Sequence, residues 1–589
     1  MNDRSFTAEL RTIAAVHLGS GEVGLATDLP LLRDPDGWPY IPGTHIAGRL
    51  REIATRLAPA LGWDACVALE PARGTEGRPC GCPVCKVFGD RRPSEEAGDG
   101  ALASRVWCFD GALAKKEGVR AVVRDGVGID RRTGSSAAKA GALYDGEWIP
   151  AGTTFSLRVE LEHGADELAE TVLALALSEW KAGRGRIGGG AARGGGAFTL
   201  TGDAFRRSDV SSADALMEFL KAGRPQGRGK EESGWLEECL EASRKGADIA
   251  TARALPSGAV RSYASLGFDL AFDGPLLVND PAVALAHALS FAPVFAGSDW
   301  EKPVLPGSSI RGVLRAQAER IARTVSARKA GGLAAFASAC AACDPFSREE
   351  HDALHSCADR ADTRERSGTE IPPEVEEAER CLGCSLFGST RQGSRLWVVD
   401  AELSEPARFR LRDFVAIDRF TGGALEGAKF DALPLYSPVF RVELLLWEPA
   451  EWELGALALV LRDLHDGLAT LGAHGSRGFG RAKVCGVALK IGRVGARGPA
   501  LPDAEDAGSS GVFQVQAWNG GHAGDLARLA DERGWRKSFV DACSQSRREV
   551  DESRVHDSYF CVTTEGGYRM EDLYPLTVDL AAVEAAHGG

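Results

Sequence analysis

The chain has 589 residues and a net charge of -14, a length that corresponds to about two to four domains. The sequence has no apolar run of about 18 residues, so it predicts no membrane span. The acidic balance argues against a general nucleic-acid binder, although a local basic channel remains compatible with it. The first residues lack an apolar signal core, and most of the 14 cysteines lie in close pairs. We therefore expect a cytoplasmic protein whose cysteines hold metal rather than disulfides.

One stretch occurs twice. Residues 42–51 and 306–315 each begin with Pro-Gly and continue with apolar residues at helical spacing. The pattern predicts a turn followed by an amphipathic helix, with Thr44 or Ser308 as the N-cap. Because a helix N-terminus with basic side chains attracts phosphate, we expect each copy to bind a phosphate group.

The first copy is followed by a cysteine cluster. Cys82 and Cys85 form a Cys-x-x-Cys pair directly after Cys80, and this spacing is typical of a tetrahedral zinc site. Cys66 is the expected fourth ligand, with His45 as the alternative. Since the protein supplies every ligand, we expect a structural site rather than a catalytic one.

The second copy is followed by two Cys-x-x-Cys pairs, Cys340 with Cys343 and Cys381 with Cys384. Two such pairs are a strong zinc signal, so we predict a second structural site formed by these four residues. The alternatives to Cys340, which lie between the pairs, are His351, His355 and Cys357.

Two further features recur. Residues 129–134 and 417–422 share the pattern Ile-Asp-Arg-x-Thr-Gly, which predicts a hairpin tip that meets phosphates and wedges apolar side chains against bases. Residues 183–196 and 472–481 are rich in Gly and Arg. Glycine allows close backbone approach to a ligand and arginine supplies phosphate-binding charge. The absence of a closing Gly-Lys-Ser/Thr excludes a nucleotide P-loop.

The recurrence of these features in one order indicates two copies of one domain. We expect the domains at residues 1–200 and 259–495, a polar connector at 201–258 and an extension at 496–589 without repeat features. The mixture of strands and helices predicts an α+β fold, with each copy a ferredoxin-like or RNA-recognition-type domain that carries a zinc-binding insertion. For the extension, a partner-docking domain and a stabilising cap are both open.

The ordered double set of motifs resembles the RAMP family, the backbone subunits of type III CRISPR effector complexes. The resemblance covers roughly residues 5–200 and 259–495 and implies two fused backbone subunits. It further implies a thumb hairpin that intrudes between guide and target RNA, and partners that are guide CRISPR RNA, complementary target RNA and other effector subunits. The expected RNA-binding residues are His45, Arg49, Arg51, Arg131, Arg132, Arg184, Arg186, Arg193, Ser309, Arg311, Arg315, Arg419, His474, Arg477 and Arg481.

The resemblance also implies a catalytic residue. In catalytic family members an Asp in the loop before the Pro-Gly turn cleaves target RNA with a divalent metal, and Asp28 occupies that place. A carboxylate there can hold Mg²⁺ or Mn²⁺, or orient the ribose 2′-hydroxyl. Counting back from the second Pro-Gly turn reaches Phe291 or Ala292, so we expect the second copy to bind RNA without cutting it. The nearest acids, both out of position, are Asp280 and Asp299.

Two other functions remain open. The chain could be a non-catalytic scaffold that only holds guide and target RNA. It could also process guide precursors, with His45 or His474 as a general acid or base near neutral pH.

Overall fold

The protein is described here by a computed structural model, which covers residues 2–22, 24, 27–66, 81–90, 102–131, 133–137, 142–162, 165–209, 212–214, 217, 221, 229–250, 259–295, 302–368, 371–406, 408–495, 498–501 and 504–556. Within these ranges, no helix is both long and apolar enough to cross a membrane. The described residues form two α+β repeats, each built on its own antiparallel sheet, which confirms the predicted fold class.

The first repeat is a ferredoxin-like sandwich. Its elements are β1 (Asn2–Thr12), α1 (Gly43–Leu57), α2 (Pro83–Phe88), β2 (Val106–Cys108), β3 (Val122–Val127), β4 (Leu143–Trp148), β5 (Thr154–Leu161), α3 (Glu167–Lys181), β6 (Phe198–Asp209), β7 (Lys230–Glu231) and α4 (Trp235–Ala250). The sheet order is β2-β5-β1-β6-β7, and neighbouring strands are antiparallel. Two interleaved strand–helix–strand units give this order, which defines the ferredoxin-like topology.

The second repeat has the same topology. Its elements are β8 (Ser262–Phe272), β9 (Pro275–Leu276), α5 (Pro281–Ala286), β10 (Val304–Leu305), α6 (Gly307–Lys329), α7 (Leu333–Ala339), α8 (Cys357–Arg366), α9 (Pro373–Ala378), α10 (Leu382–Phe387), β11 (Leu396–Val398), β12 (Ala401–Leu403), β13 (Arg412–Ile417), β14 (Ala424–Ala432), β15 (Leu435–Tyr436), β16 (Val439–Trp447), α11 (Glu451–His465) and β17 (Ala482–Arg493). In its sheet, the order β12-β16-β8-β17 matches β2-β5-β1-β6 of the first repeat.

The expected extension continues the second repeat. Its elements are β18 (Glu505–Ser510), β19 (Phe513–His522), α12 (Ala523–Glu532) and α13 (Trp535–Ser544). Strand β19 pairs with β17, so the second sheet grows beyond the four-strand core. Helix α13 packs on α11, where a Cβ at Gly455 would lie 2.1 Å from the carbonyl oxygen of Trp535. This close approach requires glycine, and it joins the extension to the core of the repeat.

Part of the expected connector folds as part of the first repeat. Strand β6 runs to Asp209, past the expected boundary at residue 200. Helix α4 then packs on the first repeat, with the Trp235 ring stacked on Phe205 at 3.8 Å between centroids. The indole Nε1 of Trp235 donates to Glu170 at 3.0 Å. These contacts place much of the connector in the first repeat.

A shared apolar core holds the two repeats together. Leu61 and Leu175 of the first repeat pack with Tyr263, Leu445 and Trp447 on the second sheet. Burial of aromatic and aliphatic side chains of this size contributes about 1.5–3 kcal/mol for each residue. Hairpins β3–β4 and β13–β14 form two-stranded sheets apart from both main sheets, and we call them the first and second thumb hairpins.

Candidate metal centres and RNA interface

The second cysteine cluster brings four thiols together. The sulfur atoms of Cys343, Cys357, Cys381 and Cys384 lie within 4.8 Å of one another, and Cys343 Sγ lies 3.6 Å from Cys384 Sγ. In a tetrahedral thiolate site with metal–sulfur bonds of about 2.3 Å, the sulfurs lie about 3.8 Å apart. The donor set therefore fits one tetrahedral ion with no open position.

The fourth sulfur of this set comes from Cys357. The expected ligand was Cys340, with Cys357 as one of its alternatives. Cys340 ends α7 in a left-handed conformation with φ 42°, and its sulfur accepts a hydrogen bond from Arg360 Nη1 at 3.5 Å. Arg360 Nη2 donates to Cys357 Sγ at 3.5 Å. A further alternative, His355, pairs its Nε2 with Asp359 at 2.8 Å. Cys340 therefore lies beside the four-sulfur group and outside it.

The first cluster holds three described thiols. The sulfurs of Cys66, Cys82 and Cys85 lie within 4.8 Å of one another, and Cys66 Sγ lies 3.3 Å from Cys85 Sγ. Cys80, the remaining expected ligand, lies outside the described residues. His45, the alternative to Cys66, accepts the Gly188 N–H at its Nε2 over 2.9 Å. This histidine therefore holds the Gly/Arg loop rather than the cysteine cluster.

Helix geometry explains why both clusters form. Cys82 and Cys381 are the N-caps of α2 and α10, and their sulfurs accept the N–H groups of Cys85 at 3.4 Å and Cys384 at 3.3 Å. A helix N-terminus stabilises negative charge and so favours thiolates.

Two arginines expected to bind RNA contact the sulfur atoms of these clusters. Arg51 Nη2 donates to Cys85 Sγ at 3.3 Å, and Arg315 Nη2 donates to Cys384 Sγ at 3.7 Å. Each arginine lies more than two turns into its Pro-Gly helix, where its side chain reaches the neighbouring cysteine helix. The two copies use this arginine in the same way.

The N-termini of the two Pro-Gly helices are already capped by carboxylates. Neither Thr44 nor Ser308 caps its helix; the N-cap residues are prolines without a side-chain cap. The Gly43 N–H donates to Asp110 at 2.7 Å, and the Gly307 N–H donates to Asp400 at 2.9 Å. The helix dipole that attracts phosphate attracts a carboxylate equally well. The phosphate expected at these first N–H groups is therefore replaced by an internal acid.

Within the second Pro-Gly helix, the two other expected RNA-binding residues make local contacts. Ser309 donates its N–H to the carbonyl of Pro306 at 2.9 Å. The half-buried Arg311 donates to the carbonyl of Phe387. Burial, followed by the charge of Arg315, lowers the pKa of Arg311 to about 10.

The arginines of the first Gly/Arg loop divide into inner and outer residues. Arg184 is buried and donates to both oxygens of Glu179 at 2.6 Å. Arg186 is buried against the Trp397 ring, 5.5 Å from its centroid, and burial lowers its pKa to about 10. Arg49 Nε donates to the Arg186 carbonyl at 3.0 Å. The contact of Arg186 with Trp397 joins the two repeats, and Arg193 is the exposed arginine of this loop.

The first thumb hairpin docks on the second repeat. Arg131 Nε donates to Glu319 Oε2 at 2.9 Å, and Arg124 Nη1 donates to Asp400 Oδ2 at 2.6 Å. Glu319 is 1% exposed; burial alone would raise its pKa, but Arg315, Arg131 and Arg323 lower it overall. The carboxylate therefore stays charged and attracts the thumb. Arg132 lies outside the described residues.

The second thumb hairpin and its Gly/Arg loop present exposed cations. Arg419 is exposed at the hairpin tip, beside Phe420, whose side chain is fully exposed. The exposed Arg477 lies over the Phe430 ring at 5.3 Å and contacts His474 Nδ1 at 2.8 Å. Burial, and then the charge of Arg477, lowers the pKa of His474. Arg481, at the end of the loop, is exposed as well.

The candidate catalytic residue lies against the first thumb hairpin. Asp28 is exposed; its N–H donates to Asp145 Oδ1 at 2.7 Å, and its Oδ2 accepts the Asp145 N–H at 3.1 Å. The same loop continues along β4, where the Glu147 N–H donates to the Leu29 carbonyl at 2.9 Å. Sequence reasoning missed Asp145, although the aromatic–Asp pair 144–145 recurs at 430–431 and offered a signal.

The second repeat reproduces this arrangement around Ser290. The Ser290 N–H donates to Asp431 Oδ1 at 2.6 Å, and Ser290 Oγ accepts the Asp431 N–H at 3.3 Å. The Leu433 N–H donates to the Phe291 carbonyl at 3.0 Å, as Glu147 does to Leu29. The counterpart of Asp28 is therefore Ser290, and not Phe291 or Ala292. Counting failed because this loop is two residues longer than the first.

Of the two acids near this loop, the described one, Asp280, has another role. Asp280 caps α5, and its Oδ1 accepts the N–H groups of Ala282 at 3.0 Å and Val283 at 3.2 Å. Burial, as the first cause, raises the pKa of Asp280. Asp299 lies outside the described residues.

Comparison with known proteins agrees with two copies of one domain. The family model of the RAMP superfamily matches residues 9–199 and, again, residues 291–483. None of the curated proteins matches the chain.

Proposed function

Because the chain belongs to the RAMP superfamily, we propose that it is a guide-RNA-binding backbone subunit of a type III CRISPR effector complex. In this proposal, it cleaves complementary target RNA at one position, in the first repeat. The observation that carries the proposal is the exposed Asp28 bound to the first thumb hairpin, where the second repeat has Ser290. A serine hydroxyl is a poor ligand for Mg²⁺ compared with a carboxylate, so cleavage belongs to the first repeat alone.

The exposed cations of both repeats support RNA binding. Arg193 lies over the Tyr144 ring at 5.9 Å and donates to its hydroxyl at 2.6 Å, and Arg477 lies over Phe430 in the corresponding place. Arg side chains held on aromatic rings keep their remaining N–H groups available for phosphate. We assign the RNA backbone to these loops and the separation of bases to the exposed tip at Arg419 and Phe420.

Two kinds of metal fit the donor groups. The four-sulfur set of the second repeat matches structural zinc, as do the three described thiols of the first. Asp28 offers hard oxygen, which suits Mg²⁺ or Mn²⁺. When bound, such a cation would stabilise charge on the phosphate being cleaved; the chain's own part is to hold the carboxylate at the RNA.

The test is target cleavage by the assembled complex, loaded with guide RNA, with Asp28→Ala compared to wild type. Loss of a residue that acts directly at the reacting group costs about 100-fold or more in rate. Ser290→Ala is the matched control and should cleave like wild type. Equal cleavage by Asp28→Ala and wild type would leave the non-catalytic scaffold as the better assignment.

The geometry does not favour guide processing by His45. Its Nε2 is occupied by the Gly188 N–H, so a general acid or base at this position would first have to break the contact with the Gly/Arg loop. A His45→Ala complex should still carry a mature guide. Accumulation of unprocessed precursor with this variant would reverse that assignment.

A further inference from the structure

We propose that Asp145 is the positioning residue for Asp28, and that the second repeat keeps this support intact and lacks only the carboxylate. This inference rests on the proposed function and deepens it. It starts from the reciprocal pair in which each aspartate accepts the other's N–H, at 2.7 and 3.1 Å.

The pair orients Asp28. Its Oδ2 is held by the Asp145 N–H, whereas no described residue donates a hydrogen bond to its Oδ1. Hydrogen bonds to a charged carboxylate are shorter and stronger than neutral ones. A carboxylate with one oxygen fixed, and the other without a donor among the described residues, is preorganised to meet a 2′-hydroxyl or a cation. Without this support, the side chain of an exposed aspartate would sample several rotamers and would have no fixed orientation.

The pair also connects the loop that carries Asp28 to the side chains proposed to bind RNA. Asp145 follows Tyr144 on β4, and the Tyr144 hydroxyl accepts the hydrogen bond of Arg193 at 2.6 Å. Adjacent residues of a strand point to opposite faces. One short segment of the thumb hairpin thus sets the distance between the arginine that meets a phosphate and the carboxylate that acts on the RNA.

The second repeat provides an independent copy of the support. Asp431 makes the same two contacts with Ser290, at 2.6 and 3.3 Å. The neighbouring Phe430 again lies beneath the loop arginine, Arg477. Ser290 is exposed, so a larger aspartate side chain fits there without displacing a packed group. A pairing kept in both copies, where only one copy has the acid, indicates that it serves to position the loop.

The first experiment compares Asp145→Ala with Asp145→Asn in the assembled, guide-loaded complex. Asn keeps an oxygen that can accept the Asp28 N–H, while Ala removes this side-chain contact and leaves only the backbone N–H of residue 145 to hold the Asp28 carboxylate. A misplaced catalytic group costs on the order of 10- to 100-fold in rate, so we expect Asp145→Ala to lower the single-turnover cleavage rate by about that factor. Asp145→Asn should restore most of the rate, and target affinity should stay unchanged in both variants. Asp431→Ala is the matched control and should cleave at the wild-type rate.

Each outcome is decisive. Wild-type cleavage by Asp145→Ala would overturn the positioning role, and so would an Asp145→Asn complex as slow as Asp145→Ala, because the charge itself would then be required. These results differ from failure of the proposed function, in which Asp28→Ala cleaves as wild type does.

The second experiment places an aspartate in the second repeat. We expect Ser290→Asp, combined with Asp28→Ala, to cut the target at a new position displaced from the wild-type cut by the spacing of the two repeats along the RNA. The further change Asp431→Ala should weaken this new cut by about the factor that Asp145→Ala removes from the first. A Ser290→Asp complex that binds target RNA with wild-type affinity and yields no new product would overturn the claim that only the carboxylate is missing.

Discussion

The two thumb hairpins share the tip pattern Ile-Asp-Arg-x-Thr-Gly, but the first is bound to a neighbouring repeat and the tip of the second is exposed. The first is fastened to the second repeat through Arg131 and Glu319, while Arg419 of the second is exposed. The acceptor explains the difference: Glu319 lies one turn after Arg315, and the corresponding position after Arg51 is Thr55. The first thumb hairpin is therefore held by a buried acid of the second repeat, and the corresponding position on the helix of the first repeat is not acidic.

The largest expected effect is the loss of bound metal and of stability when Cys357, rather than Cys340, is replaced. Cys357→Ser removes one of four grouped sulfurs, and structural zinc in small domains contributes about 10–16 kcal/mol to folding. We expect this variant to lose one zinc per chain by elemental analysis and to melt at a lower temperature.

Cys340→Ser is the matched control, because its sulfur lies outside the group, and it should keep the full metal content. Zinc loss from Cys340→Ser with retention by Cys357→Ser would show that the fourth ligand was assigned to the wrong cysteine.

The next effect concerns the buried acid that receives the first thumb. Glu319→Gln leaves Arg131, Arg315 and Arg323 without their common carboxylate, and breaking a buried ion pair costs about 3–5 kcal/mol. Urea unfolding should show this loss in the free energy of unfolding. Thr55→Val at the corresponding position of the first repeat should change it by less than about 1 kcal/mol.

The pH dependence of the same variant sharpens the test. The pKa of Glu319 is lowered on folding, so its stabilisation is present above the unfolded value of about 4.3 and is lost as pH falls through the folded pKa. Wild type should therefore lose more stability than Glu319→Gln below about pH 4. Parallel curves for both proteins would contradict a charged Glu319.

A smaller effect distinguishes the two helix caps. Asp110→Ala removes a capping carboxylate from α1, which costs about 1 kcal/mol. Asp400→Ala removes the corresponding cap from α6 and also the partner of Arg124, so it should cost about 2–3 kcal/mol. Equal losses in the two variants would mean that the Arg124 contact adds nothing to stability.

The smallest expected effect is on the thumb tips themselves. Arg131→Ala should cost about 1–2 kcal/mol, because a hydrogen bond to a charged group is lost while Glu319 keeps Arg315. It should also speed amide hydrogen exchange across β3 and β4. Arg419→Ala, which breaks no described contact, should leave stability and exchange unchanged. Faster exchange in both hairpins to the same degree would contradict selective docking of the first.

Local patterns in the sequence determined much of the protein. The doubled Pro-Gly helix, the Cys-x-x-Cys pairs and the repeated Ile-Asp-Arg-x-Thr-Gly tip identified two α+β repeats of the RAMP type, as the structure and the family match confirm. Such motifs are read reliably because a turn, a helix cap or a chelating pair is formed by residues close together in the chain.

Tertiary structure decided which residue meets which partner. Arg186 and Arg193 belong to the same loop, but one is buried against Trp397 and the other is exposed. Arginine binds a carboxylate and a phosphate with the same N–H groups, so its partner can depend on residues distant in the chain, such as Glu319 for Arg131 or Trp397 for Arg186. The choice of Cys357 over Cys340, and of Ser290 as the counterpart of Asp28, likewise depended on where a long loop returns to the sheet. Sequence therefore determined the chemical groups available, and the packing of the two repeats determined how they are used.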